Sequence, residues 1–174
     1  TKSIFLVTNG QEPDMIQKLQ DEDALPTQLY LSTNAADYES FIKINKPKYD
    51  DSWERWNRTL DMLKDLDTRT VLRITLIRNY NDQKEMIPAF ADMFRKASPH
   101  FIEIKSYMHI GRSTNRLEHE NMLEMSEVKK FSEEIAKQSK IFSIMDESLV
   151  SRISILQNNE RFIDRYISAY ANTN

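Results

Sequence analysis

Two rhythms of apolar residues alternate along the chain. Short runs rich in β-branched and aromatic residues fall at 3–8, 27–33, 69–77, 101–105, 141–145 and 152–156, as expected of buried strands. The first, Ser3-Ile-Phe-Leu-Val-Thr8, closes on Asn9-Gly10, a turn signal. Between the runs the apolar residues recur at helical spacing. Pro13 suits the first position of a helix over 13–20. A short helix is expected over 36–43. The clearest covers 51–66, where Trp53, Trp56, Leu60 and Leu63 share one face. Asp82 with Glu85 resembles a capping box for a helix over 83–96, with Pro88 early enough to be tolerated. Val128, Phe131 and Ile135 mark a further helix. Phe162, Ile163, Tyr166, Ile167 and Tyr170 predict a terminal amphipathic helix over 160–170 that packs against the sheet.

Strand followed by helix, repeated at least four times, predicts an α/β fold: a parallel sheet with right-handed crossovers, in one domain over 1–174. In such folds the chemistry sits on the loops at the carboxyl ends of the strands. Here those are Thr8-Asn9-Gly10, Ser32-Thr33-Asn34, Arg78-Asn79-Tyr80-Asn81, the stretch from Lys105 to Ser113, and Asp146-Glu147-Ser148. All are polar.

Composition narrows the chemistry. The 174 residues carry a net charge of -3, which argues against coating nucleic acid by global charge but not against a local basic patch. With no cysteine, the chain itself offers no disulfide, thiolate metal site or cysteine nucleophile. His100, His109 and His119 follow no metal-binding spacing, and only Gly10 and Gly111 are glycine, which excludes a glycine-rich phosphate loop. No apolar run reaches membrane-spanning length and no signal-peptide pattern is present, so a cytoplasmic protein is expected. The chain opens on Thr1 rather than Met, as a processed piece or a fragment does.

Six segments carry a resemblance, in order and at matching spacing. They are Phe5-Leu-Val-Thr-Asn-Gly10, Thr27-Gln-Leu-Tyr-Leu-Ser32, Lys43-Ile-Asn-Lys-Pro47, Trp53-Glu-Arg55, Arg69-Thr-Val-Leu-Arg-Ile-Thr-Leu76 and Pro99-His-Phe-Ile-Glu-Ile-Lys105. Residues 1–156 thereby resemble the wybutosine-synthesis radical SAM family, the tRNA 4-demethylwyosine synthases; residues 157–174 are read as an extension. The resemblance implies the second half of a partial (β/α) barrel. It implies S-adenosylmethionine and a four-iron four-sulfur cluster as cofactors. It implies a reaction on N1-methylguanosine-37 of phenylalanine tRNA, in which carbons from pyruvate close a third ring. The family's three-cysteine motif lies upstream of the segment matching Phe5, so the cluster is expected outside this chain, on a missing amino-terminal half or a second polypeptide. Departures include Asn34 and Asn45 in place of family aspartates, Ser106 in place of a glycine, and Asp146-Glu-Ser148 in place of a histidine-rich segment.

Lys105 ends its strand and matches the family's lysine. A lysine with its amine deprotonated holds pyruvate as an imine; otherwise it snorkels from a barrel mouth. Arg73 alternates with Val71 and Thr75 and needs an anion: the cofactor's carboxylate, or Glu103 on the next strand. Asn9 and Ser32 end consecutive strands, where they would touch the cofactor or close turns. Lys43, Lys46, Lys48, Arg78 and Arg112 are candidates for the tRNA backbone, with Tyr49 and Trp53 nearby for stacking. The competing readings are a catalytically degenerate barrel half that binds tRNA or protein, and a lysine-dependent aldolase or lyase. An open half barrel should also dimerise or recruit its missing half.

Overall fold

The first four strand runs pair in parallel, as the alternation predicts. The computed structural model describes residues 3–167. In it β1 (Phe5–Thr8), β2 (Gln28–Ser32), β3 (Arg69–Leu76) and β4 (Phe101–Ser106) lie side by side in chain order. Helices α1 (Pro13–Asp21), α2 (Tyr38–Asn45), α3 (Ser52–Met62), α4 (Ile87–Ala97) and α5 (Met125–Ser139) occupy the crossovers. Strand residues alternate between two faces. One set, including Leu29, Leu31, Leu72, Ile74, Ile102 and Ile104, is buried with Trp56, Phe90, Phe94, Phe131 and Ile135 in one core. The other set faces away from the helices and carries the polar rows Ser32–Arg73–Glu103 and Thr75–Lys105, each aligned across neighbouring strands.

The last two strands depart from the parallel pattern. β5 (Phe142–Ser148) and β6 (Ile153–Asn158) form an antiparallel pair, and β6 inserts between β4 and β5. Their connection has only a few residues, too few for the crossover that parallel strands need. Asp146, Glu147 and Ser148 therefore sit within β5 rather than on a strand-end loop.

Two helix predictions are corrected. The capping box at Asp82 does not form: the Asp82 carboxylate accepts from the Asn79 N–H at 2.8 Å instead. A short 3₁₀ turn spans Lys84–Met86, and α4 starts at Ile87 with Pro88 in its first turn, where the missing N–H costs nothing. The terminal helix over 160–170 is absent from its described part, since 159–167 hold no helix; 168–170 lie outside the described residues. Carbonyls that a helix would use internally are taken by side chains from the sheet. The Arg69 guanidinium donates to Asp164 O at 2.5 Å and Arg165 O at 3.0 Å, and Gln157 Nε2 donates to Ile163 O at 2.9 Å. The segment does pack against the sheet, in extended form, with Phe162 and Tyr166 left exposed.

Candidate functional site

The Asn9-Gly10 turn opens the site. Gly10 donates its N–H to Thr8 Oγ1 at 3.0 Å, and Gln11 N–H donates to Asn9 Oδ1 at 3.2 Å. Gly10 also presents its carbonyl to Thr59 Oγ1 of α3 at 2.9 Å. The turn and the end of α2 then enclose a cavity of about 570 Å³ over the carboxyl ends of β1 and β2. Asn9, Ser32, Lys46 and Lys48 line it together, with Gln11, Glu12, Asn34, Asn45 and Tyr49. Lys46 takes a left-handed conformation (φ 47°) as it closes α2, which ends the helix at the cavity wall. The Ser32 carbonyl accepts from Trp56 Nε1 at 3.2 Å, fixing the end of β2 against α3.

Gln11, absent from the sequence candidates, carries the sharpest signal here. Its Nε2 donates to Ser52 O at 3.1 Å, while its Oε1 is buried with no partner. A buried unpartnered acceptor is costly unless a ligand donor meets it.

A second cavity, of about 210 Å³, shares Asn34 and Lys46 with the first and adds Lys43, Thr75, Tyr80, Tyr107 and Arg116. Asn81, fully buried, braces the backbone of three of the cavity's lining residues. Its Nδ2 donates to Asn34 O and Thr75 O, both at 2.9 Å, and its Oδ1 accepts from Ile77 N at 2.7 Å. Asn34 Oδ1 in turn accepts from Thr75 N at 3.1 Å. Tyr80 and Asn81 belong to the strand-end loop noted in the sequence; their roles there become visible only with the fold.

Arg73 lies in the row below. Its Nε donates to Glu103 Oε1 at 2.7 Å, the ion pair weighed as its alternative partner, and its guanidinium stacks 4.4 Å above the Tyr30 ring. Lys105 is half-buried beside Thr75, on the face that carries Arg73 and Glu103. Lys43 sets its ammonium 5.2 Å over the Tyr80 ring. Four candidates line neither cavity: Arg73 and Lys105 in the rows just described, and Arg78 and Arg112. Arg78 grips Glu127 through two bonds of 2.6 and 2.7 Å and donates to the carbonyls of Glu120 and Met122, and this hydrogen bonding holds the Glu127 carboxyl below its ordinary range. Arg112 is exposed on the 3₁₀ turn Gly111–Asn115.

Residues 96–158 match the family model described as wyosine base formation. The S-adenosyl-L-methionine-dependent tRNA 4-demethylwyosine synthase of Pyrococcus abyssi is 38% identical over 156 residues, covering 90% of this chain and 45% of that protein. Its namesake from Methanocaldococcus jannaschii is 41% identical over 162 residues, covering 92% and 48%. The chain belongs to this family. It spans about half the length of the archaeal family members it matches. A solved structure described as TYW1 with a lysine-pyruvate adduct bound superposes with a TM-score of 0.79 at 40% identity, over 91% of this chain and 48% of that one. A crystal structure of archaeal TYW1 gives a TM-score of 0.72 at 36% identity, over 91% and 47%. The partial-barrel architecture expected of the family is thus the one this sheet adopts.

An iron–sulfur cluster does not fit this chain, which has no cysteine. Among the described residues no group of three or more His, Asp or Glu is placed to hold a metal ion. No described helix is long and apolar enough to cross a membrane.

Proposed function

We propose that this chain supplies the cofactor- and substrate-binding wall of a tRNA 4-demethylwyosine synthase, which condenses N1-methylguanosine-37 of phenylalanine tRNA with pyruvate. The observation that carries the proposal is the large cavity, which gathers Asn9, Ser32, Lys46 and Lys48 at the strand ends of a family fold. S-adenosylmethionine suits its donor set. Lys46 and Lys48 offer charge to the cofactor's carboxylate. Gln11 Oε1, buried and unpartnered, suits its ammonium or amino N–H. When bound, and joined by a cluster held outside this chain, the cofactor supplies the hydrogen abstraction that starts the reaction. The chain's own part is to orient it and the RNA base.

Lys105 is the proposed pyruvate-binding lysine. Its amine adds to the keto carbon and water leaves, giving an imine. Arg73, held by Glu103, places a fixed positive charge in the adjacent row for a carboxylate of pyruvate or cofactor. Lys43 and Arg112 remain proposed backbone contacts for the tRNA, while Arg78, committed to Glu127, acts by positioning the loop around it. The rest of the barrel is proposed to cover β1, where Phe5 and Val7 are more than half exposed.

Borohydride reduction in the presence of pyruvate tests the lysine. The expected product is one reduced pyruvate on the peptide containing Lys105, lost in Lys105→Gln. Adduct on a different lysine would remove Lys105 from this role.

A further inference from the structure

The smaller cavity differs in charge from everything around it. Its lining has three cations, Lys43, Lys46 and Arg116, and no aspartate or glutamate. Among the described residues none of the three forms an ion pair, although most arginines of this net-negative chain do. Two aromatic rings complete the wall. Tyr80 lies under the Lys43 ammonium, and Tyr107 is buried, with its hydroxyl 3.1 Å from His109 Nδ1. Unpaired cations concentrated around the partly exposed Tyr80 ring suit a ligand with both a phosphodiester and a flat base. The volume, about 210 Å³, takes part of one nucleotide, a base or its phosphate, and is far too small for a duplex. It opens beside the large cavity, with Asn34 and Lys46 common to both, so its ligand would lie next to the cofactor and the reacting base.

We infer that this second cavity seats a nucleotide flanking the modified one, its phosphodiester against Lys43 and Arg116 and its base against Tyr80. This rests on the RNA-modifying reading above. It adds that the enzyme grips the strand at a second, separable point. Register on the RNA is then set by a stacked neighbour as well as by the reacting base.

The test is fluorescence anisotropy of a labelled anticodon stem-loop RNA from phenylalanine tRNA, titrated with the protein across a salt series. Lys43→Gln with Arg116→Gln should flatten the slope of log Kd against log salt by about 0.7 per phosphate contact removed. Tyr80→Ala should weaken binding roughly tenfold with the slope unchanged, and Tyr80→Phe should restore it. Lys137→Gln, on an exposed face of α5, should match wild type. Retained thermal unfolding midpoints show that each variant is folded. Wild-type affinity and slope in the cavity variants would overturn the subsite while leaving the RNA reading intact. Loss of S-adenosylmethionine binding in Tyr80→Ala, with RNA affinity unchanged, would overturn it in favour of a small-molecule site. No binding of the RNA by wild type would overturn both readings.

Discussion

Gly10 holds φ +76°, and a Cβ there would stand 2.7 Å from Leu31 Cδ1 and 3.0 Å from Trp56 Cδ1. Leu31 and Trp56 are both buried, so neither has room to yield. Gly10→Ala should therefore cost about 2–4 kcal/mol from overpacking and backbone strain together, read in urea denaturation. His100 makes a pH prediction. Burial, then the charges of Arg161 and Arg69, pull its pKa down from 6.5 to about 4, while its Nδ1 accepts from Thr70 N–H at 3.1 Å. The unfolded chain binds this proton more readily, so stability is complete above about pH 6.5 and falls as pH drops toward 4. His100→Gln should flatten that slope; an unchanged slope would show that other groups set it. Arg73 and Glu103 form a third residue-scale case. Truncating Arg73 alone leaves a mostly buried carboxylate unpaired and should cost about 2–4 kcal/mol. The double replacement Arg73→Met with Glu103→Leu should recover most of that stability. If it also keeps cofactor affinity, the arginine's role is the ion pair alone.

At the scale of elements, Arg78 ties three pieces of chain together. It lies just beyond β3, grips Glu127 in the first turn of α5, and donates to two carbonyls near the 3₁₀ turn His119–Asn121. Arg78→Ala should cost about 1–2 kcal/mol, since partial exposure softens the charged bonds. Faster amide exchange should be confined to residues near 119–127. The elements also show what the sequence made legible. Apolar runs located the six strands to within a few residues, and apolar spacing together with proline and capping signals placed the five helices, because burial of an apolar face dictates that spacing. The capping box at Asp82 and the helix over 160–170 failed for one shared reason. The expected patterns there were outcompeted by other polar partners, the neighbouring Asn79 N–H in one case and side chains of the sheet, Arg69 and Gln157, in the other. The site divides the same way. Asn9 and Ser32 stood out in the sequence because they end strands, and Lys46 and Lys48 because they form a basic cluster beside aromatic residues. Gln11 and Tyr107 did not, since their significance lies in an unmet hydrogen bond and in a cavity formed by segments far apart in sequence.

Across the whole molecule, β1 and β5 are the two edge strands of the sheet among the described residues. β1 pairs only with β2 among the described residues, and Ile4, Phe5 and Val7 are each more than half exposed. Such an edge templates strand addition unless something covers it. The isolated chain should therefore sediment with a concentration-dependent mass, and Val7→Lys should suppress the association. A strictly monomeric wild-type chain would mean that this edge does not need a covering element.

The order in which the sheet is completed has a consequence for synthesis. β5 is made before β6 but touches the sheet only through it, because β6 lies between β5 and β4. As the chain leaves the ribosome, the first four strands can assemble progressively while Phe142–Ser148 waits without a partner until Asn158 has emerged. A nascent chain stalled short of residue 153 would hold a finished parallel core and one orphan strand. Chaperone dependence during translation should accordingly peak late, and an early stop codon in β6 should mark the product for degradation rather than leave a slightly shortened protein.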